Sequence, residues 1–297
     1  MKKLFYLAFL CGAFILTGCN PDDSNNPTEP NEPSSGYVAK AFSVSDSKQV
    51  LFSPGNLQYT QSTDTWSFAS TQYEMLGLKN ILGGDESFNL EYGYEKHHGN
   101  SVADKIDLFG WSTSISNFGI IDPPIVDWEN DYLGSFVEWG CNQIGDDAPN
   151  TWRTLTHDEW DYVMSKRPNA SSLVGVAQVN DVNGLILLPD DWSCPTSITF
   201  KFGFHKKWSV EAYGQCQSFT VDEWLQLERS GAVFLPAAGV RGPLSVMRLQ
   251  AEGFYWSTTE GHDSLGAYCL RFFSDRQGMR YWPRDLSLSV RLVQDVK

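Results

Sequence analysis

One device is used twice in this chain, and it constrains the fold more than any other feature. Thr156-His157-Asp158-Glu159-Trp160 and Thr220-Val221-Asp222-Glu223-Trp224 each set a threonine three residues ahead of a glutamate, with tryptophan next. The threonine hydroxyl accepts from the glutamate amide and the glutamate reaches back to the threonine amide, so each string starts a helix. Trp160, Val163 and Met164 share one face of the first helix, which Pro168 ends; Trp224, Leu227 and Glu228 follow in the second, which Gly231 stops. Most other signals are for strands. Residues 42–45, 49–53, 57–59, 65–69 and 176–179 read as short strands, with turns at 53–56 and 180–184. The runs 185–189 and 232–236 are apolar throughout and suit buried strands. Residues 79–105 read as a long Gly-rich acidic loop; His97 and His98 there point opposite ways in an extended chain, which predicts solvated histidines rather than a metal site.

The N-terminus carries an address rather than a fold. Lys2 and Lys3 precede an apolar run, Leu4 to Leu16, that is short for a membrane span, and Leu16-Thr17-Gly18-Cys19 follows. This order resembles the lipobox of bacterial lipoproteins, which implies a signal peptide over 1–18 and lipidation (palmitate) at Cys19. Residues 19–36 contain Pro, Asn, Ser, Asp and Glu and no aliphatic side chain, so they are expected to form a disordered tether. Asp22 and Asp23 resemble the acidic export signal of Bacteroidetes surface lipoproteins, which implies an outer-membrane protein exposed on the cell surface. The formal charge of −14 argues against nucleic acid as a partner, because phosphate neutralisation needs a basic footprint.

Four cysteines remain after the signal and the anchor: Cys141, Cys194, Cys216 and Cys269. They allow three pairings, and Cys194 with Cys216 is the first to test because it would close a modest loop. No Cys/His spacing points to a metal, and no cofactor is expected.

Seven blocks in order resemble a family of Bacteroidetes surface lipoproteins. They are Leu51–Tyr59, Ile106–Ser114, Trp152–Trp160, Asn183–Trp192, Val233–Gly239, Phe254–Thr258 and Ser289–Val293. The chain is also similar to the major-paralogous-domain proteins of Fibrobacter and to the C-type-lectin-fold variable proteins of diversity-generating retroelements. The resemblance implies an α+β domain over 37–297, of C-type-lectin-like type related to formylglycine-generating enzymes. Two helices would flank a twisted, mainly antiparallel sheet rich in loops, and residues 253–293 would carry the ligand-binding face.

Alternation divides that segment. Tyr268, Leu270 and Phe272 would share the core face of one strand, and Cys269, Arg271 and Phe273 the other. Phe254, Trp256, Val290 and Leu292 read as scaffold. The expected ligand-binding residues are Glu260, His262, Asp263, Arg271, Phe273, Arg276, Arg280, Tyr281, Trp282 and Arg284, since Arg, Tyr and Trp dominate binding hot spots. The function expected is a lipid-anchored, adhesin- or receptor-like module for a protein or glycan ligand. One alternative is calcium-dependent carbohydrate binding through Asp181, Asn183, Asp190 and Asp191. Another is a formylglycine-generating-type enzyme. Catalysis is not expected: those enzymes use two cysteines where this segment has Cys269 alone, and no nucleophile motif accompanies His157, His205 or His262.

Overall fold

A strand buried on both faces, β8 (Val182–Leu187), lies between the two capped helices. The structure is a computed structural model that describes residues 37–76, 104–120, 132–242 and 246–297. The expected signal peptide, Cys19, the tether, and His97 and His98 lie outside the described residues. β8 pairs antiparallel with β7 (Val174–Val179) and β10 (Val233–Pro236), and β7 pairs parallel with the short β9 (Ser218–Phe219).

Because side chains alternate along a strand, the two faces of this sheet belong to different cores. Val176, Leu185, Leu187, Val233 and Leu235 face Trp160, Val163 and Met164 of the first helix. Ala177, Val179, Ile186, Leu188 and Phe234 face Trp224 and Leu227 of the second. The apolar run that follows Gly184 in the sequence is therefore a central strand covered on both sides. Burying each of its large side chains contributes about 2 kcal/mol.

Both capping boxes form. Thr156 accepts from Glu159 N–H at the start of α1 (His157–Asp161), and Thr220 accepts from Glu223 N–H at the start of α3 (Val221–Arg229). A short α2 (Ala212–Cys216) precedes β9. The first helix departs from expectation, because after Asp161 it widens into a π-turn over Tyr162–Lys166. The buried side chain of Arg167 donates to Val163 O at 2.8 Å, and its amide reaches five residues back to Tyr162 O at 2.9 Å.

The remaining strands form small sheets rather than one. The first contains β1 (Ala41–Ser43), β2 (Gln49–Phe52), β16 (Leu292–Asp295) and β6 (Arg153–Thr154). The second contains β4 (Thr65–Phe68), β3 (Leu57–Thr60) and β5 (Lys105–Ile106). A two-stranded ladder joins β11 (Val240–Arg241) to β12 (Val246–Met247). The last sheet is β13 (Gly253–Glu260), β14 (Gly266–Phe272) and β15 (Gln277–Pro283). The chain is thus α+β, mostly sheet with few helices, and its described residues divide among five sheets where a single one was expected. Ser34–Lys297 forms one compact unit that holds all three hydrophobic cores. No helix of the described residues is long and apolar enough to cross a membrane.

Two readings that the sequence left open are not met here. The four cysteines are free, and Cys194 Sγ lies 3.4 Å from Ile198 O instead of bridging to Cys216. The oxygen cluster proposed for calcium is not a cluster. Asp181 and Asn183 sit at one end of β8 and Asp190 beyond the other, about 20 Å away at strand rise. Three of the four side chains are already engaged. Asn183 is buried, with its amide donating to Val210 O and Gln250 O. Asp190 accepts from Ser43, Gln49 and Arg167, and Asp191 pairs with Lys40.

Candidate functional site

The sheet β13–β14–β15 carries all ten residues expected to bind ligand, but it does not gather them. Its strands β13 and β14 are covered on both faces along most of their length, while β15 is only half-buried. Tyr255, Leu270 and Phe272 enter one core, and Phe254, Trp256, Ala267 and Cys269 enter another. Cys269, expected on the ligand face, is 0% exposed, and burial pushes its thiol pKa well above the ordinary value. Tyr268, expected in the core, is instead half-buried, with its ring edge against His157 at 4.9 Å.

The ten residues separate along the strands. Glu260, His262, Asp263, Tyr281 and Arg284 lie at the turn joining β13 to β14. Arg271, Phe273 and Arg276 lie at the opposite end, near the β14–β15 hairpin, about 20 Å away along β14. Arg280 is exposed midway along β15. Trp282 is near the turn in register but packs inward against Phe254, ring centroids 4.9 Å apart.

At the turn end, Arg284 is a floor rather than a contact. It is 2% exposed and its guanidinium lies 4.1 Å from the Trp111 ring centroid. It donates to Gly266 O at 3.0 Å, Tyr132 O at 3.2 Å and Gly134 O at 3.0 Å, and Glu260 stands 3.8 Å away. Burial lowers its pKa, and the charge of Glu260 opposes that. Three segments distant in sequence are therefore clamped to one cation, which is what buried guanidinium forks do well.

Tyr281 covers the turn above that floor. A Cβ at Gly261 or Gly266 would run into its ring, so these two positions require glycine for a close approach, whatever their backbone angles. The Tyr281 hydroxyl donates to Asp263 Oδ1, and Asp263 also accepts from Leu265 N–H at 2.9 Å. The Tyr281 hydrogen bond, then the Leu265 amide, lowers the Asp263 pKa. Desolvation and the same carboxylate push Tyr281 up to about 12, so its hydroxyl keeps its proton as a donor. The His262 ring lies 4.5 Å from the Tyr281 ring, and Tyr268 and His157 extend the aromatic row toward α1.

Two adjoining depressions open here and share Ser264 and Arg284. The first, about 240 Å³, is mostly apolar, between Tyr132, Leu133, Leu265, Tyr281 and Pro283. Leu133 and Leu265 are 48% and 62% exposed, so two leucines stand open at its mouth. The second, about 390 Å³, is polar, lined by Gly134, Ser135, Glu260, His262 and Asp263. A third, of about 340 Å³, has Arg153 and Asp295 in its wall, already ion-paired to each other.

Segment 132–135 and Leu265 were not among the expected residues. Tyr132 and Gly134 meet Arg284 across about 150 positions of chain, and no local pattern announces such a contact. At the other end, Arg271 is held by Glu252 at 2.6 Å and lies over Phe254, Phe273 and Trp282. It stiffens the sheet and has little left to offer a ligand. Comparison with known proteins finds no matching family model, no matching curated protein and no matching solved structure.

Proposed function

We propose that this chain is a ligand-binding module, held at the outer membrane by lipidated Cys19 and exposed on the cell surface, with the turn-end cleft as its binding site. In this reading the fold is C-type-lectin-like, and the binding side chains are Glu260, His262, Asp263 and Tyr281, with Leu133 and Leu265. The observation that carries it is the pairing of an open apolar lobe with an open polar lobe over a fixed, buried Arg284. A ligand with a nonpolar face and several hydroxyl or amine donors suits that pair, because the polar rim is rich in acceptors. Sugars and the side chains of a protein loop both have this character.

A binding role also fits the chemistry better than an enzymatic one. Cys269 is sealed in a core with its thiol held protonated, whereas a nucleophilic cysteine works as an accessible thiolate. The reading is tested by screening residues 34–297 against glycan and protein arrays. Tyr281→Ala and Leu265→Asp should each weaken any hit at least tenfold while Arg280→Ala leaves it intact. Unchanged binding in both cleft variants would move the site elsewhere.

A further inference from the structure

We propose that the loop 201–208, at the hairpin end of the β13–β15 sheet, is a docking face for an anionic membrane surface. Its sequence is Lys-Phe-Gly-Phe-His-Lys-Lys-Trp, in a chain of formal charge −14. Lys201, Lys206 and Lys207 are exposed and make no ion pair among the described residues. Between Trp192 and Val221 the only acidic residue is Glu211. Phe202 and Trp208 are 51% and 44% exposed, beside the three lysines.

The exposure is imposed by the fold. Phe200 and Phe204 turn inward against the cores, so Phe202 between them turns out, and its ring lies 5.2 Å from that of Phe200. Gly203 is tied into the edge of β7, donating to Val174 O at 2.7 Å and accepting from Val176 N–H at 3.1 Å. The Gln217 side chain grips the Lys201 backbone, its Oε1 accepting from Lys201 N–H at 2.8 Å and its Nε2 donating to Lys201 O at 2.9 Å. His205 N–H donates to Ser274 O at 2.8 Å, and the Ser274 hydroxyl donates to Ser209 O at 2.8 Å. A loop pinned at so many points could have folded its rings under; it holds them out beside unpaired lysines.

Ser274 also places this loop against the hairpin that carries Phe273 and Arg276, so a third ring adjoins the patch, together with an arginine paired to Asp275. Interleaved lysine and aromatic side chains suit a bilayer interface. The ammonium groups meet headgroup phosphates while Phe and Trp rings enter the boundary region. The membrane is favoured over an acidic protein because residues 20–36, extended, span at most about 60 Å. On the proposed lipid anchor, the unit could not stray far from the bilayer, and with this loop down the ligand cleft would face away from it.

The inference rests on the anchoring reading only for the source of the membrane, so the test uses the unlipidated compact unit, residues 34–297. Its co-sedimentation with vesicles of phosphatidylglycerol and phosphatidylcholine is compared with phosphatidylcholine alone. The expected result is salt-sensitive partitioning to the anionic vesicles only. The triple variant Lys201→Gln, Lys206→Gln, Lys207→Gln should lose about a hundredfold, and Phe202→Ser with Trp208→Ser about tenfold. Lys297→Gln serves as an exposed control and should change partitioning less than twofold. All five altered patch side chains are exposed, so thermal unfolding should be unchanged. Absence of wild-type partitioning, or a triple variant that still binds, overturns the proposal. Retention on immobilised polyglutamate without vesicle binding would overturn it in favour of an acidic protein partner. Loss of Cys19 labelling by radioactive palmitate would sink the anchor and leave the vesicle result standing.

Discussion

The two ends of the β13–β15 sheet contain the same kinds of side chain and put them to opposite use. At the turn end the cation, Arg284, is buried and spent on carbonyl oxygens, while carboxylates and rings remain open. At the hairpin end Arg271 and Arg276 lie on aromatic faces, Arg276 is exposed, and the neighbouring loop adds unpaired lysines. The difference comes from what covers each end. Segment 132–135 closes over Arg284, so that cation sets the shape of an acidic-rimmed cleft. At the hairpin Arg276 is paired with Asp275 and lies over the Phe273 ring but stays exposed, so its charge faces outward. An Arg next to an aromatic residue is therefore no guide to a contact surface until its cover is known.

The largest test of this contrast is removal of the two arginines in turn. Arg284→Ala removes a buried guanidinium that donates to the carbonyls of Gly266, Tyr132 and Gly134 and lies on the Trp111 ring, and losing such charge-assisted hydrogen bonds costs about 1–3 kcal/mol. A destabilisation of roughly 3 kcal/mol is expected in denaturant unfolding. Arg276→Ala removes an exposed pair with Asp275 and a ring contact, and should stay within about 0.5 kcal/mol. Equal effects would break the comparison.

Next in size is Gly266→Ala. The added methyl meets the Tyr281 ring, which must shift, so a loss of about 1–3 kcal/mol is expected together with loss of the Tyr281–Asp263 hydrogen bond. Gly278 lies on the same sheet at the other end, and its Cβ would meet only the flexible Arg280 guanidinium at 3.3 Å. Gly278→Ala should therefore change stability by less than about 0.5 kcal/mol. Thermal unfolding of the pair decides whether the turn end is the tightly fitted one.

How far these contrasts could be read in advance depends on the range of the interaction. Both capping boxes, the inward faces of Trp160, Val163, Met164 and Trp224, and the buried run of β8 were legible because each rests on neighbours within one or two turns or strands. The alternation in β14 correctly divided its side chains between two faces, but it could not show that a core lay behind each one. Cys269 was therefore placed outward, whereas its side of the sheet faces Trp256 and Trp111. Arg284 was misread for a related reason: its partners are carbonyls, which every residue has, so nothing in the identities at 132–135 marks them. The aromatic and basic character of 201–208 was visible in the letters, but its exposure depends on ties to β7, Gln217 and Ser274 that no local pattern supplies.

The smallest expected effect is also the most selective. Tyr281→Phe keeps the ring over Gly261 and Gly266 and removes only the hydroxyl that donates to Asp263. That hydrogen bond is the leading cause holding the Asp263 carboxyl below its ordinary value. A carboxylate whose pKa is depressed by folding contributes stability above its unfolded pKa and loses it as pH falls through the folded one. In the wild type the turn should hold until acid below the usual carboxylate range. In Tyr281→Phe the loss should begin at higher pH, because the folded pKa moves back toward the unfolded value. Tyr281 itself titrates only near 12, so it remains a donor through neutral pH and adds no second transition there. A carbon-detected NMR titration of the Asp263 carboxyl in both proteins reads this directly. The midpoint should be higher in the variant, and coincident midpoints would mean that Tyr281 shapes the cleft by its ring alone. The same titration in Arg276→Ala should leave Asp263 unmoved, since the altered charge lies at the far end of the sheet, about 20 Å along β14 and beyond the Debye length at physiological salt.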